Sequence, residues 1–184
     1  MLELIVGDLD PAALRAVLLP GRVRALAVRD NLILRSLDFL RGLDRLTHLD
    51  IDGTGALVDD LTPLTELPLT WPALNSLPGL ESPRALHVLS ASPTLGALDL
   101  GIPLCADSVD EALPTGLPPE YLRFTRSALK HTALRGLGQL RSVKTLSLAK
   151  LLERLTADDF GEIVRMPALE NLRVNRNAVG WLVL

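Results

Sequence analysis

The chain has 184 residues and a formal net charge of −3; 48% of it is hydrophobic, yet only 3% is aromatic. That hydrophobicity excludes a disordered chain, the single Cys105 excludes a disulfide scaffold, and the acidic balance gives nonspecific nucleic-acid binding little drive. No run approaches the roughly 20 apolar residues of a membrane helix, and the start MLELIVGDLD has acids where a signal peptide needs positive charge.

The apolar share is aliphatic, with 44 Leu in the chain, and these are spaced rather than scattered. Met1, Leu4 and Val6 form a first, weak unit. Pro11 through Leu19 reads as a short helix, with Asp10 as N-cap and Pro at the first helical position. Val23-x-x-Leu26-x-Val28-x-x-Asn31 is a second, stronger unit. Leu37, Leu40 and Leu43 then recur every three residues, the 3₁₀ period, and run into a third unit at Leu46, Leu49 and Ile51. Residues 57–92 are Pro-rich and predict an irregular repeat. Their best register is Leu69, Pro72 and Leu74, although Pro72 removes a ladder donor; a register through Leu64, Leu67 and Leu69 avoids it but breaks the spacing.

Further units follow at Leu95, Leu98 and Leu100; at Pro119, Leu122 and Phe124; and at Val143, Leu146 and Leu148, this last one preceded by period three at Leu134, Leu137 and Leu140. A helix is expected over Asp158 through Met166, after Thr156 and before Pro167. The clearest unit comes last: Leu169-x-x-Leu172-x-Val174-x-x-Asn177-x-Val179. The fourth positions fall at 4, 26, 49, 72, 98, 122, 146 and 172, so the steps are 22, 23, 23, 26, 24, 24 and 26 residues. Internal repetition at such a period signals a stacked array.

The pattern resembles the leucine-rich repeat, LxxLxLxxN/CxL, over essentially the whole chain. The resemblance implies an α/β leucine-rich-repeat solenoid of the short bacterial type, a single domain over 1–184 with about eight repeats. A curved parallel β-sheet would line its concave side, and short helices or 3₁₀ turns its convex side. Asn occupies the ninth position only at Asn31 and Asn177, so other groups must hold most of the turns. The apolar tail 178–184 is expected to cap the last coil through Trp181, with pairing to another molecule as the alternative.

Within each unit the second and third apolar residues lie two apart and share one face of a strand, so the residues between them point the other way. One outward row contains His48, Trp71 and Tyr121; the neighbouring rows contain Asp50, Asp52 and Asp99, then Arg123, Arg126, Lys150, Arg173 and Arg176 toward the C-terminus. Exposed Trp and Tyr dominate binding energies at interfaces, and a surface with segregated charge orients a partner. These eleven residues are the candidate partner-binding set. Two plainer readings stand beside it: Trp71 fills core, and the opposite charges pair with one another at little gain.

Carboxylates at 50, 52 and 99 could hold a hard cation or act as an acid–base pair, but no Gly-rich loop accompanies them. They fit better as acceptors for Arg or Lys of a protein. His48, His87 and His131 lie in separate repeats without metal-ligand spacing. Cys105, just beyond a strand, reads as a buried thiol, and Gly136-Leu137-Gly138 as a turn. No catalytic residue, metal or cofactor is assigned. The resemblance implies recognition of a partner protein through the concave sheet, and with no enzymatic signal among the residues the expectation is a cytoplasmic protein–protein interaction module, not an enzyme. Neither nucleic acid nor membrane is expected as a partner. The Arg-over-Lys bias suggests a bacterial source. The alternatives are a non-catalytic substrate-recognition subunit of a separate enzyme and a structural repeat protein that self-assembles through its ends.

Overall fold

The computed structural model describes residues 2–5, 10–18, 21–29, 31–52, 58–102, 104–125, 133–149 and 155–174. Eight strands, β1 (Leu2–Ile5), β2 (Ala25–Arg29), β3 (His48–Asp52), β4 (Trp71–Asn75), β5 (Ala97–Gly101), β6 (Tyr121–Phe124), β7 (Thr145–Leu148) and β8 (Asn171–Val174), form one parallel sheet in sequence order. Each connection returns the chain to the same edge through a short helical piece. These are α1 (Pro11–Val17), α2 (Thr62–Thr65), α3 (Val109–Ala112) and α4 (Ala157–Val164), with 3₁₀ turns at Asp38–Leu40, Ala85–Ala91 and Leu137–Gln139. Each piece packs against its neighbours in sequence, so the helical side is a second layer stacked in the same order as the strands.

The register follows the leucine spacing. Leu26 lies opposite Leu49, Leu49 opposite Pro72, Leu98 opposite Leu122, and Leu122 opposite Leu146. The first unit departs from expectation: Leu2, not Leu4, lies opposite Leu26. The opening step is therefore 24 residues, in line with the others, and Met1-Leu4-Val6 was two residues out of phase. The 26-residue steps are absorbed on the helical side, where the seven-residue 3₁₀ turn at Ala85–Ala91 and the eight-residue α4 take up the extra length.

One core runs the length of the stack. Leu26, Leu49, Leu98, Leu122 and Leu146 are buried, as are Val28, Ile51, Leu74, Leu100, Phe124 and Leu148 two residues on. The helical layer adds Leu14, Leu64, Leu89, Val109, Leu137 and Ile163 to the same cluster. No coil could bury these side chains alone, which is why neighbours are required. Leu172 breaks the series. It is 41% exposed, because β8 pairs only with β7 among the described residues.

Backbone bonds tie each coil to the one before it. From β3 to β8, two successive N–H groups at each strand start donate to one carbonyl of the preceding coil: Thr47 and His48 to Arg24, Thr70 and Trp71 to Thr47, Gly96 and Ala97 to Thr70, and so on to Glu170 and Asn171 on Lys144. On the helical side the period-three leucines bond to one another in 3₁₀ fashion, Leu40 to Leu37, Leu43 to Leu40 and Leu46 to Leu43. The expected helices also form. Asp10 accepts from the Ala12 N–H at 2.7 Å ahead of Pro11, and Thr156 with Asp159 forms a capping box on α4.

Pro72 does sit in a central strand. The Trp71 N–H faces β3 and donates to Thr47, so by alternation the Pro72 nitrogen faces β5. Pairing of β4 with β5 accordingly begins only at Ala73, opposite Asp99. The sheet loses one donor and keeps its register. Cys105 departs from its expected burial: Leu104 before it turns into the core, and Cys105 faces outward and is exposed. The tail 178–184, with its expected cap, lies outside the described residues, as do Asn177 and His131.

Candidate functional site

The site is the face of the sheet turned away from the helical layer, and β5 shapes it. Its three residues on that face, Ala97, Asp99 and Gly101, are one short acid between two minimal side chains. Taller neighbours therefore meet across β5. Trp71 from β4 and Tyr121 from β6 approach over Ala97, with ring centroids 5.8 Å apart and planes at 47°. Over Gly101 the Thr125 hydroxyl lies 3.3 Å from Asn75 Oδ1. A Cβ on Gly101 would collide with Asn75 and lie 2.7 Å from Thr125 Oγ1, so glycine is what lets these two approach.

Between the two bridges sits Asp99, only 8% exposed. Its Oδ2 accepts from Arg123 Nη1 at 3.3 Å, the residue directly opposite it on β6. Its Oδ1 is buried with no hydrogen-bond partner. Burial pushes the Asp99 carboxyl above its ordinary 3.8, and Asp50 adds to that; Arg123 and Thr125 pull the other way without cancelling it.

His48 extends the aromatic row onto β3, with its ring centroid 6.4 Å from that of Trp71. The Thr47 hydroxyl lies 2.9 Å from His48 Nδ1 and 3.1 Å from the Arg24 carbonyl, which fixes one edge of the ring. Trp71 does not fill core; 44% of it is exposed. Beside it is a hollow of about 290 Å³, walled by His48, Asp50, Trp71, Ala73 and Asp99 and floored by Leu26 and Leu49. Small-molecule sites begin near that volume, about 300 Å³, so the hollow suits one side chain better than a cofactor.

The central acids pair locally. Arg29 Nη2 reaches diagonally from β2 to Asp50 Oδ2 at 2.7 Å, as Arg123 does directly to Asp99. The two central acids are thus interleaved with arginines rather than gathered apart from them. Asp52, at the end of β3, accepts a long bond from the Ser76 hydroxyl, 3.5 Å. Arg173 is exposed on β8, four strands from Trp71 or about 19 Å at the usual strand spacing, and is not part of this cluster. Arg126, Lys150 and Arg176 lie outside the described residues.

Of the candidate residues, then, His48, Asp50, Trp71, Asp99, Tyr121 and Arg123 come together. Residues not singled out beforehand complete the site: Arg29, Asn75, Gly101 and Thr125. The signal was present in the outward rows, where Ala97 and Gly101 make β5 the lowest strand of the face. Among the described residues no group of three or more His, Cys, Asp or Glu is placed to hold a metal ion, and no helix is long and apolar enough to cross a membrane.

No family model matches the chain, and no curated protein matches it. Seven chains among solved structures do match. One is an internalin from Listeria monocytogenes, 17% identical, aligned over 95% of this chain and 66% of that one with a TM-score of 0.37. The chain spans just under two-thirds of that internalin's length. One parallel strand and one short helical turn per coil, stacked in sequence order around a leucine core, fit a leucine-rich-repeat solenoid.

Proposed function

We propose that this chain is a protein–protein interaction module, one leucine-rich-repeat domain of about eight repeats that binds a partner protein through the open face of its sheet. The observation that carries the reading is the row His48, Trp71 and Tyr121, rings in contact across β3 to β6 with Trp71 44% exposed. Two of the chain's six Phe, Trp and Tyr residues stand in this row, with the His48 ring beside them. A half-exposed Trp beside a hollow and ringed by polar groups is the composition of an interface anchor, where Trp, Tyr and Arg are enriched. Asp50, Asp99 and Arg123 set orientation around it. Asp52 and Arg173 extend the same surface; Arg126, Lys150 and Arg176, outside the described residues, are assigned to it from the strand alternation of the sequence alone. The same reading takes the chain as a cytoplasmic binding module rather than an enzyme, and the Arg-over-Lys bias of the sequence supports a bacterial source.

Affinity capture from source lysate, quantified by mass spectrometry, tests this. A protein retained by the wild type and by Asp158→Ala on the helical side, but lost with Trp71→Ala, Tyr121→Ala and Arg123→Glu, is the expected outcome. Retention unchanged by all three open-face substitutions would reject the surface. A second reading, self-assembly through the C-terminal end, is favoured by Val164 and Leu172, which are 81% and 41% exposed there. Light scattering across a concentration series separates it: a mass that rises with concentration in the wild type but not in Val164→Lys supports assembly.

A further inference from the structure

The hollow beside Trp71 has acids in its walls but no charge left open to a ligand. Arg29 Nη2 holds Asp50 Oδ2 at 2.7 Å, and Arg123 Nη1 holds Asp99 Oδ2 at 3.3 Å. Each acid at the hollow is therefore matched by an arginine of the same face. The other oxygen of Asp99, Oδ1, is sealed from solvent and offers an entering group nothing. What stays open is mostly carbon: the half-exposed Trp71 and Ala73, with the His48 ring beside them.

The chemistry of an occupant follows from that balance. A cation entering here would have to share carboxylates that already hold one, and an anion would face both acids. Either would leave water without a new partner of its own, which is costly. An apolar side chain needs no polar partner, and it removes carbon from water on both sides of the contact. A volume of about 290 Å³ suits one such side chain. The two ion pairs then border the contact, an apolar pocket inside a polar rim, which is where interface anchors sit. We infer that the hollow over β3 and β4 is the receptor for one uncharged, apolar side chain of about leucine size from a partner protein, packed against Trp71. This rests on the interaction surface proposed above and names the group that surface takes first.

The test titrates the protein with four blocked tripeptides, acetyl-Gly-Leu-Gly-amide and its alanine, arginine and glutamate counterparts, and follows backbone amides by NMR. The leucine peptide should give saturable shifts centred on His48, Asp50, Trp71 and Ala73. It should bind about tenfold more tightly than the alanine peptide, because three more carbons leave water, and more tightly than either charged peptide. Two variants probe the cause. Ala73→Leu fills the hollow from within the chain and should abolish saturation while the amides of Leu122 and Leu146 keep their positions. Arg29→Met takes the arginine off Asp50 and should strengthen the arginine peptide about threefold. A leucine peptide no better than the alanine, arginine or glutamate peptide, saturation that survives Ala73→Leu, an arginine peptide indifferent to Arg29→Met, or shifts centred elsewhere would overturn the assignment. Should Ala73→Leu not fold, the four peptides on the wild type decide alone. Partner capture that is lost with Trp71→Ala but kept with Ala73→Leu would leave the interaction surface standing and remove the anchor from the hollow.

Discussion

Gly101→Ala tests the low strand at the centre of the face. The added methyl would collide with the Asn75 side chain and sit 2.7 Å from Thr125 Oγ1, both of which close over β5. Forcing a methyl into such a contact costs about 1–3 kcal/mol, and losing the Thr125–Asn75 hydrogen bond adds about 1 kcal/mol. Two effects act the other way. Asn75 is partly exposed and can swing aside, and alanine restricts the unfolded chain, which stabilises by about 0.4–1 kcal/mol where the backbone is compatible. Gly101 is not at positive φ, so that gain applies. The balance is a loss of about 1–2 kcal/mol, read from equilibrium urea unfolding. The sharper test is the double-mutant cycle: with Asn75→Ala in place the collision is largely gone, and Gly101→Ala should then cost less than half as much. A variant as stable as the wild type, or a cost that is the same in both backgrounds, would refute the bridge over β5.

Leu146→Ala removes a fully buried side chain between Leu122 and Leu172 and should cost about 3 kcal/mol by urea denaturation, whereas Thr145→Ala on the open face should stay within about 0.5 kcal/mol. Thr156→Ala breaks the capping box of α4 and should lower stability by about 1 kcal/mol; hydrogen exchange at Asp159 and Phe160 should rise before that of β7. Asp99 gives a pH dependence of definite sign. Its folded-state carboxyl is raised above the ordinary 3.8 by burial, despite Arg123 and Thr125 and with Asp50 adding to the rise. The folded chain thus holds this proton after the unfolded chain has released it. Stability relative to Asp99→Asn should fall as pH rises through that interval and level off above it. Thermal unfolding of both proteins from about pH 4 to about pH 7 checks this; a relative gain with rising pH would contradict it.

The stacking was legible because leucine spacing and strand pairing are the same physical fact. A residue that must reach the shared core once per coil recurs at the coil length, and Leu26, Leu49, Leu98, Leu122 and Leu146 do so. Period three at Leu37 and Leu134 likewise announced the 3₁₀ turns that Leu40, Leu43 and Leu137 close. The first strand slipped by two because Leu2, Leu4 and Val6 offer two equally apolar phases, and only pairing with β2 chooses between them. The face was legible as a set of rows but not as contacts. Alternation says that Arg29 and Asp50 both point outward, yet not that Arg29 passes over its direct neighbour Asp52 to reach Asp50. Nor does it say that Asp99 is buried, since that burial comes from side chains on β4 and β6 closing over a strand that has almost none of its own.

The central claim is that alternate residues of each strand face opposite ways, one set into the leucine core and the other onto an open binding face. Cysteine accessibility along β3 tests it most directly. In a Cys105→Ser background, His48→Cys, Leu49→Cys, Asp50→Cys and Ile51→Cys are each reacted with a thiol reagent under native conditions. Fast labelling at 48 and 50 with protection at 49 and 51 is predicted from the exposed, buried, half-buried, buried order of these positions; uniform labelling, or the reverse alternation, would contradict the account.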